Sequence, residues 1–247
     1  MPIGSHIIHL EKVDSTNNFA KQLLSKSKPQ EGTVILARHQ FAGKGQIGNS
    51  WVSNPGENIA LSAIVYPEFL PTEKLFYLNI VTSLALYDYV DSRTCKHTAI
   101  KWPNDILANR KKVAGILIEN SFSGSNINYS ILGIGLNLNQ SQFPKFPVPA
   151  TSLSLETNET FDLENEWPKL LEFLNERYQQ LQSLQFEKMK IDYLERLFGY
   201  RELCRFNREE KPFIGVVEDV DDLGRLHIAT PAKRLDFDFK EVTFILG

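Results

Sequence analysis

The chain has 247 residues, of which 42% are hydrophobic and 23% charged, with a formal net charge of −3 at pH 7. These values are ordinary for a globular protein, no apolar run is long enough for a membrane span, and no basic run suggests nucleic-acid binding. The N-terminus does not join a basic region to an apolar one, and Cys95 and Cys204 lack metal-ligand spacing. We therefore expect a cytoplasmic protein with reduced thiols.

The spacing of apolar residues predicts strands and helices in mixed order over residues 1–198. The predicted strands are residues 7–10, 33–37, 59–66, 99–102, 106–108, 113–119 and 129–139. The predicted helices are residues 14–25, 72–91, 162–184 and 187–198, the first with several candidate N-caps, Ser15 among them, and the third capped by Asp162. A polar turn is predicted at residues 121–128.

The tail is different in character. Short predicted strands at residues 213–220, 225–229, 235–239 and 242–246 indicate a small all-β module over residues 199–247. A sheet of this size usually depends on its neighbour for stability. We therefore expect an α+β fold, in which a mixed sheet with helices packed on it (residues 1–198) is followed by a small β-barrel.

Residues 40–51 form the most informative loop. Gly43, Gly45 and Gly48 enclose Lys44, and Trp51 closes the loop. Glycine lets backbone amides approach an anion, lysine adds a positive charge, and tryptophan provides a flat face for a base. The pattern indicates a site for a nucleotide or another phosphate-bearing ligand, although a glycine-rich turn that merely connects two strands remains an open alternative.

The Gly-x-Gly-x-x-Gly spacing also matches the dinucleotide fingerprint, which we reject. That fingerprint requires a helix directly after the loop. Here residues 52–56 read Val-Ser-Asn-Pro-Gly, which breaks a helix, and the predicted strand at 59–66 follows. The P-loop pattern also fails, because no Gly-Lys-Ser/Thr lies at the required offset.

Two further segments carry lysines beside turn residues. Residues 101–105 read Lys-Trp-Pro-Asn-Asp, and residues 111–115 read Lys-Lys-Val-Ala-Gly. A lysine pair at a hairpin is usually solvated surface, and Asn-Asp is common turn chemistry. Neither segment alone distinguishes a functional site from ordinary surface and turn residues.

Together these blocks resemble the biotin–protein ligases of the biotin/lipoate ligase superfamily. The matching blocks are Asp-Ser-Thr-Asn at 14–17, Gln40 with Gly-Lys-Gly-Gln-Ile-Gly at 43–48 and Trp51, Lys-Trp-Pro-Asn-Asp at 101–105, Lys-Val-Ala-Gly-Ile-Leu-Ile-Glu at 112–119, Gly-Ile-Gly-Leu-Asn at 133–137, and Ala-Thr-Ser-Leu at 150–153. They follow the family's order. The resemblance implies a class II synthetase-like catalytic domain with an SH3-like C-terminal domain.

Such ligases convert ATP and biotin to biotinyl-5′-AMP and pyrophosphate, and then transfer biotin to a lysine of a biotin carboxyl carrier domain. The resemblance implies that Lys112 and Lys44 act as catalytic cations, because a carboxylate must approach a polyphosphate. Mg²⁺ would accompany ATP, near Asn104, Asp105 or Asn137. Lys112 would act as a cation and not as a nucleophile.

The resemblance also implies two sets of ligand contacts. The biotin-binding set is Ser15, Thr16, Asn17, Gln40, Gly43, Lys44, Gly45, Gln46, Lys112 and Gly115. The ATP-binding set is Lys44, Gln46, Trp51, Asn104, Lys112 and Asn137. Polar members of the first set would pair with the ureido ring inside an apolar pocket, and Trp51 would stack near the adenine.

The chain departs from the family pattern at two positions. The family often has arginine in place of both Lys44 and Gln46, so we expect a weaker grip on phosphate from this loop, with Lys112 and Mg²⁺ contributing more. The motifs begin near Ser15, which predicts a form without an N-terminal DNA-binding domain. Whether the chain forms a homodimer stays open.

Two rival hypotheses remain. A lipoate or octanoyl ligase has the same fold, but its glycine loop usually reads Gly-Gly-Gly and leads toward a histidine, whereas this loop ends at Trp51. A non-catalytic biotin or nucleotide sensor would not need a lysine at the position of Lys112.

Overall fold

The computed structural model describes residues 2–46 and 48–245. Seven strands form its larger sheet: β1 (His6–Leu10), β2 (Thr33–Ala37), β5 (Asn58–Val65), β6 (Thr98–Lys101), β7 (Asp105–Ala108), β8 (Lys111–Ser123) and β9 (Asn126–Asn137). Their order across the sheet is β1-β2-β5-β9-β8-β7-β6. β1 pairs with β2 in parallel, and the other neighbours are antiparallel. The expected mixed sheet is confirmed.

Helices cover both faces of this sheet. They are α1 (Thr16–Lys26), α2 (Phe76–Asp91), α3 (Leu153–Thr157), α4 (Leu163–Gln182) and α5 (Phe186–Glu195). Val34 and Ile35 point to opposite faces, since successive side chains on a strand alternate. Val34 belongs to the main core with α2 and α4, whereas Ile35 packs with Ala20 of α1. Among the described residues, no helix is both long and apolar enough to cross a membrane.

A second sheet follows these helices. Its strands are β10 (Leu203–Arg208), β11 (Lys211–Val220), β12 (Leu226–Ala229), β13 (Arg234–Phe237) and β14 (Thr243–Phe244), in the order β13-β12-β11-β10-β14. All neighbours are antiparallel, as expected for a small C-terminal β-module. The boundary between residues 198 and 199 stays a prediction.

The structure corrects several predicted elements. The polar turn predicted at residues 121–128 is wrong, because β8 and β9 continue as a hairpin to the pair Ser123 and Asn126. Residues 122–126 are exposed, so their polarity reflects solvent contact and not the end of the strands. The helix predicted at residues 72–91 begins with a 3-10 turn at Thr72–Lys74, and the helix predicted at residues 187–198 ends at Glu195.

Outside the glycine loop, a strand, β10, and a short helix, α3, were not predicted. β10 turns into β11 through Glu209 and Glu210, which have φ of 48° and 62°. Such a two-residue hairpin normally signals itself with asparagine or glycine, so the sequence carried no cue. The short helix α3 begins after Ser152, whose Oγ accepts a hydrogen bond from the Leu155 backbone at 3.3 Å. Within the last predicted strand, Leu246 lies outside the described residues.

A buried tryptophan joins the two sheets. The Trp102 Nε1 donates a hydrogen bond to the carbonyl oxygen of Gly224 at 2.9 Å, and both residues are buried. Nearby, the Lys74 ammonium lies 2.6 Å from the Asp222 carboxylate. The small sheet is therefore held against the segment that follows β6.

We predict that Trp102→Phe lowers the free energy of unfolding by about 1–3 kcal/mol, because a buried carbonyl oxygen loses its donor. Urea denaturation measures the change. Trp167→Phe is the matched control, since the Trp167 Nε1 donates only to the exposed Glu164 side chain at 3.1 Å, and we expect less than about 0.5 kcal/mol there. Equal losses in the two variants would contradict the prediction.

Candidate active site

A cavity of about 240 Å³ lies over the middle of β8 and β9. It brings together most of the residues that the sequence predicted for the site. These are Ser15, Thr16, Asn17, Gln40, Lys44, Gly45, Gln46, Trp51, Asn104, Asp105, Lys112 and Gly115. Gly43 and Asn137 do not line the cavity, and Ile47 of the glycine loop lies outside the described residues.

A short hairpin presents the glycine loop to this cavity. β3 (Gly43–Lys44) pairs with β4 (Ser50–Trp51), and Gly43 lies directly opposite Trp51. A β-carbon on Gly43 would lie 2.6 Å from the Trp51 carbonyl oxygen. Gly43 is therefore required for the close pairing that directs Trp51 toward the cavity. The loop does connect two strands, but its residues also line the cavity.

One end of the cavity is a buried hydrogen-bond network at the start of α1. The Gln40 Oε1 accepts hydrogen bonds from the Thr16 backbone at 2.7 Å and from its hydroxyl at 3.0 Å. The Ser62 Oγ lies 2.5 Å from the Asn17 Oδ1 and 2.7 Å from the Thr16 Oγ1. Ser15 occupies the N-cap position, as the sequence predicted, but its side chain makes no capping hydrogen bond.

The direction of these hydrogen bonds follows from the amide of Asn17. Its Nδ2 donates to the Glu119 carboxylate at 2.8 Å, so its Oδ1 faces Ser62. A hydroxyl has a single hydrogen, so Ser62 donates to Asn17, and the one hydrogen of the Thr16 hydroxyl serves either Gln40 or Ser62. Ser62 was not predicted as a site residue. Its signal was a hydroxyl within the otherwise apolar strand at residues 59–65.

Glycines form the floor of the cavity. A β-carbon on Gly135 would overlap the Trp51 indole, and one on Gly115 would lie 3.2 Å from both Trp51 and the Lys112 side chain. The indole therefore rests directly on the two strands. Its Nε1 is buried and has no hydrogen-bond partner among the described residues.

The other end of the cavity is charged. The Lys112 ammonium lies 2.6 Å from one oxygen of the Asp105 carboxylate, and the Lys101 ammonium lies 3.3 Å from the other. Lys112 also lies 5.6 Å from the centre of the Trp51 ring. Strand pairing sets this arrangement, because Asp105 is opposite Lys101 in β6 and opposite Gly115 in β8.

The two adjacent lysines of β8 point in different directions. Lys112 lines the cavity, whereas the Lys111 side chain is 46% exposed and lies 3.4 Å from the Glu156 carboxylate. Neighbouring residues on a strand face opposite sides. The surface interpretation of the lysine pair therefore applies to Lys111 and not to Lys112.

Lys44 lines the cavity, but its ammonium donates a hydrogen bond to the Asn18 side chain at 2.7 Å. Asn18 also donates to the Asp14 carboxylate, and this hydrogen bond is the main cause that lowers the pKa of Asp14. Lys44 and Lys112 thus share the cavity, while the start of α1 holds the Lys44 ammonium.

The two predicted asparagine contacts have structural partners. The Asn104 Nδ2 donates to the Ile116 carbonyl oxygen at 2.7 Å, which attaches the 102–104 turn to β8. The Asn137 Nδ2 donates to the Thr151 carbonyl oxygen at 2.9 Å, while its buried Oδ1 has no hydrogen-bond partner among the described residues. The described part of the chain contains no cluster of three His, Cys, Asp or Glu side chains suited to a metal ion.

The chain belongs to the biotin/lipoate A/B protein ligase family, whose model matches residues 10–137. A biotin–[acetyl-CoA-carboxylase] ligase from Paracoccus denitrificans is 35% identical over 245 residues, covering 95% of this chain and 99% of the relative. The bifunctional ligase/repressor BirA of Bacillus spizizenii is 32% identical over 232 residues, covering 92% of this chain and 70% of the relative.

Solved structures agree with this assignment. The Aquifex aeolicus biotin protein ligase in complex with biotin and ATP is 25% identical, has a TM-score of 0.78, and covers 97% of this chain and 98% of its own. The Leishmania major ligase in complex with biotinyl-5-AMP, at 22% identity and a TM-score of 0.62, shares the fold. The predicted family, fold class and ligase activity are confirmed, whereas the roles of individual residues stay predictions.

We predict that Ser62→Ala lowers the free energy of unfolding by about 1–3 kcal/mol, because the buried Asn17 Oδ1 loses its donor. Urea denaturation without ligand measures it. Ser83→Ala is the matched control: Ser83 is fully buried, and its Oγ has no hydrogen-bond partner within the described residues. Removing that hydroxyl should be neutral or stabilising. A loss at Ser62 no larger than at Ser83 would disprove the network's contribution.

Proposed function

We propose that the protein is an ATP-dependent biotin–protein ligase that forms biotinyl-5′-AMP and transfers biotin to a lysine of a biotin carboxyl carrier domain. One observation carries the proposal: a single cavity joins a buried polar network to the pair formed by Lys112 and Asp105. A urea-containing ring and a reacting phosphate need these two environments side by side. Family membership and relatives named as biotin ligases support it. We propose that the enzyme acts in the cytoplasm.

The polar end would hold the ureido ring of biotin. Thr16, Gln40 and Asn17 provide donors and acceptors whose orientation the network already determines. A site that pairs with a buried polar group rejects ligands lacking it, by about 10⁴-fold or more. In this proposal the network accounts for the choice of biotin over lipoate, whose ring has no urea.

Trp51 would move when the ligand binds. Ligand cavities commonly measure about 300–1,000 Å³, and this one is smaller, at about 240 Å³, because the indole lies on Gly115 and Gly135. We propose that the ring of biotin occupies the position over Gly115 and Gly135, and that the displaced Trp51 indole then stacks on the adenine. The Asn137 Oδ1 has no hydrogen-bond partner in the described part of the chain and lies two residues beyond Gly135 on the same strand face, so it would accept a hydrogen bond from the base.

The charged end would carry out the chemistry. Oxygen of the biotin carboxylate attacks the α-phosphorus of ATP, and pyrophosphate leaves with the electrons of the broken P–O bond. Lys112 would exchange Asp105 for these anionic oxygens and stabilise their charge. Lys44 would assist after leaving Asn18.

We propose that Mg²⁺ binds at Asp105. This ion usually binds one or two carboxylates together with substrate phosphates, and Asp105 lines the cavity with its carboxylate facing Lys112. When bound, the ion would neutralise phosphate charge. Asp105 would hold it while Lys112 turns to the substrate.

In the second step the amine of the acceptor lysine attacks the acyl carbon of the mixed anhydride. The C–N bond forms, the amine loses a proton, and AMP leaves as its C–O bond breaks. Lys112 would stabilise the phosphate charge of the leaving AMP. We propose that the carrier domain docks near the glycine loop, which opens onto the cavity.

We predict that Lys112→Ala lowers biotin-dependent pyrophosphate release from ATP and Mg²⁺ by about 10²-fold or more. Lys111→Ala should stay within about twofold, because Lys111 pairs with Glu156 outside the cavity. Equal activity of the Lys112 variant and the wild type would refute the mechanism. Release with lipoate but not biotin would identify the rival ligase, and tight biotin binding without release would identify a sensor.

We predict that Gln46→Arg slows dissociation of biotinyl-5′-AMP, because arginine adds a bidentate phosphate contact to a cavity-lining position. Dissociation of labelled adenylate in a pulse-chase experiment measures the rate. Gln22→Arg, on the exposed side of α1, controls for the added charge. An unchanged rate in Gln46→Arg would contradict the expected effect of this departure from the family pattern.

A further inference from the structure

The small C-terminal sheet supplies part of the cavity wall. Lys240, Val242, Thr243 and Phe244 line the cavity together with Lys112. The motifs that predicted the site all lie between residues 14 and 153. The cavity is therefore not built by the larger sheet and its helices alone.

A hydrogen-bonded turn presents Lys240. The Glu241 backbone donates a hydrogen bond to the Asp238 carbonyl oxygen at 3.2 Å, and the Glu241 carboxylate accepts one from the Asp238 backbone at 2.9 Å. Lys240 has a φ of 71°, a left-handed conformation that is uncommon for residues other than glycine. Such conformations persist where the surroundings enforce them, and they are frequent at ligand sites.

An aromatic contact places this turn at the charged end of the cavity. The Phe239 ring lies 5.5 Å from the Trp102 ring and 6.1 Å from the Phe76 ring, measured between centroids. Trp102 directly follows Lys101 and begins the segment that leads to Asp105. Because Phe239 packs on the residue that follows Lys101, the turn that carries Lys240 lies next to the 101–105 segment, and both line the cavity.

The charges at this end leave room for a further cation. Lys101 and Lys112 share the single carboxylate of Asp105, and in the proposed reaction Lys112 turns to the α-phosphate. Gln46, on the glycine-loop side, is neutral. The triphosphate of ATP carries several negative charges. Its β- and γ-phosphates extend beyond the α-phosphate, which Lys112 would contact.

We propose that Lys240 binds the β- and γ-phosphates of ATP, so that the C-terminal module completes the nucleotide site. This inference rests on the proposed function. Lys240 contacts the leaving group and not the adenylate. It therefore strengthens the binding of ATP and of pyrophosphate, and it contributes nothing to the affinity for AMP.

Titration calorimetry with α,β-methylene-ATP and with AMP, in the presence of Mg²⁺ and biotin, tests the assignment. We expect Lys240→Ala to weaken α,β-methylene-ATP binding about 10-fold, as for one charged hydrogen bond, and to leave AMP binding within about twofold. Lys240→Arg, which keeps the charge, should restore the affinity. The KM for ATP in pyrophosphate release should rise to the same extent as the dissociation constant.

Lys233→Ala is the matched control, since Lys233 is an exposed lysine of the same module that does not line the cavity. Unchanged α,β-methylene-ATP affinity in Lys240→Ala would overturn the assignment. Equal losses for AMP, or an equal loss in Lys233→Ala, would also overturn it, because a phosphate contact predicts neither. Should the wild type bind nucleotide but release no pyrophosphate, the proposed function would fail, while the comparison of the two nucleotides would still decide the role of Lys240.

Discussion

The site depends on one contact between strands, the direct pairing of Gly115 in β8 with Gly135 in β9. Strands in the centre of a covered sheet usually carry bulky apolar side chains on both faces. Here two glycines face each other, so one side of the sheet has a depression without side chains. The Trp51 indole rests in it, and a β-carbon at either glycine would crowd the ring. The cavity is thus a property of this pairing.

Two chemically different environments meet at this depression because different elements end there. α1 begins at one end, where Thr16 and Asn17 are held by Gln40 and Ser62. The turn from β6 to β7 reaches the other end and supplies Asp105 to Lys112. Neither environment is useful alone for joining a carboxylate to a nucleotide. The proposed two-step ligation uses their separation along β8 and β9.

Much of the fold and of the site could be predicted from local patterns. Residues 33–37 form the strand that was expected, and Asp162 caps α4 as expected, because alternation and capping depend on near neighbours. Ser62 was missed, since its role depends on Asn17, 45 residues away. β10 was missed because its turn uses Glu209 and Glu210. The contribution of Lys240 could not be foreseen, as it depends on how the two sheets pack.

The sequence by itself determined the mixed sheet, the small β-module and the set of motifs that identifies the family, because each depends on local sequence patterns. Only the tertiary structure decided that Lys112 enters the cavity while Lys111 faces Glu156. It also decided that Asn104 attaches a turn to β8 and that Trp51 lies on the cavity floor. The physical reason is that strand register and the packing of one sheet on another are set by contacts between residues far apart in the chain.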